Sequence, residues 1–189
     1  LLPGHTLTLK YPKVEYLLES KPWWDLKSTV ERSLSNPILK KNDAIKLIEN
    51  TLKGSIKNQS IADVPLGTFL SGGIDSSLIT ALLQTQTNLK VKTFTIGFEE
   101  SKFNEAPEAK KIANFLETDH SEFYLTSTDA QKIIPRLNKI YSEPFADASQ
   151  IPTHLVCKEA SQNGLKVALS GDGGCLLYTS PSPRDKTVS

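Results

Sequence analysis

The chain has 189 residues, 38% hydrophobic and 23% charged, enough to bury a core and to make one domain or a domain with a fragment of another. Its 22 basic and 21 acidic residues leave a net charge of +1, and no Lys/Arg run or basic stripe supports nucleic-acid binding. No apolar run reaches membrane-spanning length, no signal peptide opens the chain, and Cys157 and Cys175 form no C-x-x-C, which together read as a protein of the reducing cytoplasm. The chain has no methionine, not even at position 1, and so reads as one that lacks its true start.

Residues Leu1 to Lys10 predict a Pro-Gly turn followed by a strand alternating at Leu7 and Leu9. The aromatic and proline residues through Trp24 (Tyr11, Pro12, Tyr16, Pro22, Trp23) read as an end strand and linker, or equally as an N-terminal hairpin docked on this same domain. Asn42 or Asp43 is placed to cap a helix with Ile45, Ile48, Leu52 and Ile56 on one face and Lys46, Lys53 and Lys57 on a solvated one. Val64–Leu70 reads as a core strand, Ile74–Gln86 as a helix and Val91–Phe98 as a second strand. Asn104 caps a helix striped with Ala109, Ile112, Ala113 and Leu116, where Pro107 is tolerable in the first turn. Glu122–Leu125 reads as a third strand, and Thr128 to Gln131 as a capping box opening a helix kinked at Pro135. A helix from about Pro152 ends at Asn163-Gly164, and Lys166–Ser170 is a fourth strand running into Gly171-Asp172-Gly173-Gly174. Strands alternating with helices predict βαβ units: an α/β fold with a parallel sheet covered by helices on both faces. His5, His120 and His154 are isolated and read as packing residues rather than metal ligands, and Asn58-Gln59-Ser60 reads as a chance sequon.

The stretch Thr68 to Ser77 carries the chemistry. A strand ending in Ser71-Gly72-Gly73 and turning at once into a helix puts free backbone N–H groups and a positive dipole end at one point, an anion site, with Ser71, Ser76 and Ser77 adding hydroxyls. Asp75 beside a phosphate cradle points to a divalent cation between them. There is no Gly-Lys-Ser/Thr, no G-x-G-x-x-G and no G-x-S-x-G, so Walker, dinucleotide and nucleophile-elbow readings fall away. A Gly-Gly turn with helix-capping serines is the plainer alternative. The second Gly-rich turn, after Leu169, should lie on the same sheet edge, adding Asp172 to Asp75.

Ser-Gly-Gly-x-Asp-Ser-Ser after an apolar strand resembles the PP-loop of the ATP pyrophosphatases. Four ordered segments, Asp63 to Ser77, Thr93 to Phe98, Glu143 to Ser149 and Ala168 to Gly174, resemble the synthetase domain of the glutamine-hydrolysing asparagine synthetases. The resemblance implies a Rossmann-like fold of the PP-loop type, here truncated, over residues 30–174. It makes 1–29 the closing strand and linker of a glutaminase domain normally in the same chain. Residues 175–189, Ser/Pro/Thr-rich and with Cys175 where the family has an acid, then form a non-family, disordered tail that resembles translated adapter sequence. By the same resemblance the parent protein is a carbon–nitrogen ligase, and the remainder of its synthetase domain, with a phosphate-binding lysine, lies beyond this chain. The chain as given is therefore expected to have no glutaminase activity and little or no ligase activity. The parent's substrates are ATP, aspartate and ammonia from glutamine, with Mg²⁺ held by Asp75, and a homodimer is one assembly open to it. Ser71, Gly72, Gly73, Asp75, Ser76 and Ser77 would then hold pyrophosphate, Leu70 and Ile96 would meet the nucleotide through backbone groups, Ser170 and Gly171 would line the ribose or α-phosphate side, and Asp172 would stand near the reacting carboxyl as a proton acceptor. Asp147 and Ser149 are further candidates for that pocket, Asp147 being equally readable as a loop or helix cap. A related amidotransferase acting on another carboxylate, and a non-catalytic nucleotide-binding fragment, are the alternative readings.

Overall fold

The structure is a computed structural model and describes residues 1–8, 20–99, 104–144, 147 and 149–174. The expected strand residues Leu9 and Lys10, the aromatic stretch around Tyr11 and Tyr16, Phe145, Ala146 and Ala148 of the loop before the last helix, and the tail 175–189 lie outside the described residues. The chain forms two compact units, Leu1–Ile48 and Glu49–Ser189.

In the first unit, β1 (His5–Leu7) pairs antiparallel with β2 (Ser20–Pro22), with His5 opposite Pro22. Helix α1 (Leu26–Ser35) follows, a helix the sequence reading did not foresee. Asp25 caps it, accepting the Ser28 backbone N–H at 2.7 Å. Leu26, Val30 and Leu34 recur every four residues on it and all are exposed. Helix α2 (Lys41–Gln59) begins before its two expected caps: Asp43 and Ala44 already donate to the Lys40 carbonyl, so Asn42 and Asp43 lie inside the first turn.

The second unit is built on a four-stranded sheet of β3 (Leu66–Phe69), β4 (Lys92–Phe98), β5 (Asp119–Leu125) and β6 (Val167–Leu169). All pairings are parallel and the spatial order is β5-β4-β3-β6. Side chains alternate across it, as a pleated strand requires. Leu66 packs with Leu52 and Ile56 of α2 and with Ile79, Leu82 and Leu83 of α3 (Ile74–Gln84), while Leu70 packs against Ala109 and Ala113 of α4 (Ala106–Phe115). The opposite face, Phe69, Phe94 and Phe123, meets Val156 and Ala160 of α7 (Gln150–Gln162). Ile96, Phe98 and Leu125 meet Ile133 of α5 (Ser127–Ile133) and Leu137 and Ile140 of α6 (Leu137–Ile140). Helices thus cover both faces, and the doubly covered parallel sheet expected from the alternation of strands and helices is present. Among the described residues no helix is long and apolar enough to cross a membrane.

Local chemistry sets several boundaries. Asn104 accepts the Ala106 N–H at 3.1 Å and opens α4. The capping box at α5 uses Thr126 and Asp129 rather than Thr128 and Gln131. Asp129 is charged and takes both the N–H and hydroxyl of Thr126, a stronger pairing than a neutral amide offers. Pro135 breaks the helix outright instead of kinking it: Ile134–Arg136 is a 3₁₀ turn between α5 and α6. Gly164, at φ +83°, closes α7.

A polar cluster sits where β5 begins. The Thr93 hydroxyl lies 2.8 Å from His120 Nδ1 and 3.0 Å from the Thr118 hydroxyl. His120 Nε2 is buried and has no hydrogen-bond partner among the described residues. Burial, together with the Lys110 cation, holds the imidazole below its ordinary pKa against the opposing pull of Glu122, which Lys110 bridges at 2.7 Å. The unfolded chain therefore binds a proton near pH 6.5 that the folded chain refuses, so folding stability rises with pH through that range and is lost as pH falls. His154, lowered first by burial and then by Arg136 and Lys158, acts in the same direction. Urea titrations at pH 7.5 and 6.0 should show lower stability at pH 6.0, and His120→Gln should flatten that difference. An unchanged slope in the variant would remove His120 from the account.

Candidate active site

In the order β5-β4-β3-β6 the chain steps to one side of β3 for two strands and then crosses to the other for β6. Between β3 and β6 the connections diverge, which puts a topological switch point at the carboxyl ends of these strands. Both Gly-rich turns open there. The turn Leu70 to Gly73 leaves β3, and Ser170 to Gly174 leaves β6. They touch. A Cβ placed on Gly171 would lie 2.7 Å from the Ser76 nitrogen and 2.9 Å from the Asp75 carbonyl carbon. One placed on Gly174 would lie 2.9 Å from Asp75 Cγ. The second turn therefore rests directly on the N-terminal end of α3, and only residues without a side chain fit there.

The first turn is held by its own hydrogen bonds. Gly72 takes φ +81° and passes close to Glu108 and Ala109 of α4. Gly73 is the N-cap of α3, and its carbonyl accepts three donors: the Ser77 N–H at 3.1 Å, the Ser77 hydroxyl at 2.6 Å and the Ser76 hydroxyl at 3.2 Å. Ser76 Oγ in turn accepts the Ser71 N–H at 3.2 Å and lies 3.0 Å from the Ser71 hydroxyl. Ser76 is buried, whereas Ser71 and Gly73 are exposed. The hydroxyls of Ser76 and Ser77 are thus spent on shaping the turn.

Leu70 is 1% exposed, donates its N–H to the Phe94 carbonyl at 2.9 Å and accepts the Thr95 hydroxyl on its own carbonyl. Ile96 lies in β4, with its side chain packed beside Leu125 on the sheet face toward α5 and α7. Of the acids, Asp75 sits in the first turn of α3 and Asp172 in the second Gly-rich turn, its N–H directed at Ser170 Oγ at 3.3 Å. Asp172 faces α7: although Cys157 is exposed, desolvation pushes its thiol up and the Asp172 carboxylate adds to the rise. Asp147 stands just before α7. Its carboxylate accepts the Ser149 N–H at 2.8 Å, which is the cap reading, and that bond, then the Ser149 side chain, holds it below the ordinary carboxylate range.

No group of three or more His, Cys, Asp or Glu that could hold a metal occurs among the described residues. Asp75 lies at the junction of the two turns. The three threonines that fix this junction, Thr68, Thr80 and Thr95, are all buried and were not singled out from sequence. The signal was present in the alternation of β3, which places Thr68 on the same face as Leu66 and Leu70.

A parallel α/β sheet with a switch point between β3 and β6 defines the fold class. The chain is similar in fold to an NMN synthetase from Francisella tularensis, at a TM-score of 0.50 and 16% identity, covering 70% of this chain and 56% of that one. The asparagine synthase family profile matches residues 47–178. A protein of Methanocaldococcus jannaschii described as a glutamine-hydrolysing asparagine synthetase is 39% identical over 139 residues, 73% of this chain and 27% of that protein. Asparagine synthetase 1 (glutamine-hydrolysing) of Bacillus subtilis is 34% identical over 134 residues, 71% of this chain and 21% of that one. The chain belongs to the asparagine synthase family. It spans about a quarter of the length of these relatives.

Proposed function

We propose that the chain is the ATP-binding part of a cytoplasmic, glutamine-hydrolysing asparagine synthetase whose glutaminase domain belongs to the same polypeptide. The observation that carries this reading is the contact of Gly171 and Gly174 with Asp75 and Ser76, which brings two strand-terminal turns together at one switch point.

The chemistry asks for little beyond positioning and charge control. A β-carboxylate oxygen of aspartate attacks the α-phosphorus of ATP, a new P–O bond forms, and the bond to the β-phosphate breaks, giving β-aspartyl-AMP and pyrophosphate. The N–H groups at the start of α3 and of Gly72, with Ser71, receive the leaving pyrophosphate, and Ser76 and Ser77 hold those donors in place. Asp75 would hold Mg²⁺, which would supply charge compensation for the phosphates. Ser170 and Gly171 line the α-phosphate and ribose side, and Ile96 meets the nucleotide through its backbone, whereas the N–H and carbonyl of Leu70 are taken by Phe94 and Thr95. Ammonia then attacks the activated carbonyl carbon and AMP departs. The proton that nitrogen must shed goes to Asp172, a carboxylate within the same turn.

The test uses the complete protein with ATP, Mg²⁺, ammonia and aspartate. Equal amounts of pyrophosphate, AMP and asparagine, all dependent on aspartate, are expected. Formation of ADP and phosphate, or pyrophosphate release that ignores aspartate and responds to another carboxylic acid, would overturn the reading.

A further inference from the structure

Beneath the first turn runs a chain of buried hydroxyls. Thr68, in the middle of β3, and Thr80, one and a half turns into α3, are both 0% exposed, with their oxygens 2.9 Å apart. Thr80 Oγ1 lies 2.8 Å from the Ser76 carbonyl oxygen. Proton directions follow from valence. A carbonyl only accepts, so the Thr80 proton goes to Ser76 O, and the Thr68 proton is then the one shared with Thr80. Ser76 is the residue whose own hydroxyl ties Ser71 to Gly73. On the other side of the turn, the Thr95 hydroxyl of β4 donates to the carbonyl of Leu70, the last residue before Ser71. Leu70, just before the turn, is therefore bonded directly to a hydroxyl of the sheet, and Ser76, near its far end, is linked to Thr68 of the sheet through Thr80.

We propose that Thr68, Thr80 and Thr95 are positioning residues that set the height and orientation of the α3 N-terminus against β3, and so fix the geometry in which the turn receives pyrophosphate; the last clause rests on the function proposed above. None of the three needs to touch ligand. Their hydroxyls lie in the dry interior, where a fully satisfied polar chain specifies one arrangement and an apolar substitute of equal shape permits several. A valine at position 80 keeps the volume and loses the link from sheet to Ser76. Serine keeps the link.

The experiment compares wild-type, Thr80→Val and Thr80→Ser in the complete protein. The probes are inorganic pyrophosphate binding by calorimetry, the KM for ATP, and amide hydrogen exchange of residues 71–77. Thr80→Val should weaken pyrophosphate binding and raise the KM at least tenfold and speed exchange in the turn, while Thr80→Ser restores all three to within about threefold. If Thr80→Val merely unfolds at lower denaturant yet binds pyrophosphate and protects the turn as wild-type does, the hydroxyls are structural filler and the proposal fails. Failure of the wild-type protein to bind pyrophosphate would count against the synthetase reading, and the exchange rates of the turn would still decide the positioning role.

Discussion

Gly171→Ala is expected to cut the affinity of the complete protein for AMP by about 10- to 100-fold while leaving the sheet folded. The added methyl would lie 2.7 Å from the Ser76 nitrogen and 2.9 Å from the Asp75 carbonyl carbon, and both are backbone atoms that cannot rotate away. Overpacking of this kind costs about 1–3 kcal/mol unless the backbone shifts, and here the shift separates the two turns that share the site. Gly164→Ala is the control. Gly164 needs an unusual backbone, with φ +83°, where Gly171 does not, and a methyl there meets nothing within 4 Å. It should cost about 1 kcal/mol of stability through backbone strain and leave AMP binding unchanged. Wild-type AMP affinity in Gly171→Ala, measured by isothermal titration, would mean the turns do not form one site.

Asp75→Asn carries the second large effect, and its sign reverses with the metal. Without divalent cation, a carboxylate at the phosphate cradle repels its ligand, so the neutral amide should bind pyrophosphate several-fold more tightly than wild-type. With Mg²⁺ present the carboxylate becomes a ligand, and its loss should lower pyrophosphate release by about 10²- to 10³-fold, the range found when one strong electrostatic partner is removed from a reacting centre. The acid belongs to the first turn of α3 and its removal opens no cavity, so the thermal transition should move little. A variant that kept the wild-type Mg²⁺ dependence of both measurements would show that Asp75 holds no metal.

Much of this was legible because strand and helix periods differ so plainly from Leu66 to Gln84 and because glycine has few structural reasons to occur in pairs. All four strands of the parallel sheet were read in place, and the two glycine turns were expected on one edge. What the sequence did not disclose has physical causes. Helix α1 buries none of its residues, so its apolar stripe of Leu26, Val30 and Leu34 gave a weak pattern, although Asp25 three residues before Ser28 was a usable cap signal. Thr126, Ser127 and Thr128 offered three successive cap hydroxyls, and the choice among them fell to Asp129, whose charge rewards the partner three residues back. The motif suggests hydroxyls aimed at phosphate, and in this structure those of Ser76 and Ser77 donate to the Gly73 carbonyl. A list of residue types cannot tell a donor that faces a ligand from one that shapes the loop. The buried threonines escaped for the opposite reason, since threonine in a strand is ordinary on propensity alone.

The pairing of Leu66 with Val167 joins positions roughly a hundred residues apart, whereas β4 and β5 reach their partners over much shorter stretches. During synthesis β3, β4 and β5 can therefore associate long before β6 leaves the ribosome. The two Gly-rich turns meet only once β6 has docked, so their junction comes into being as the closing event of folding, and a ligand held there could stabilise this sheet only after its most distant contact has formed.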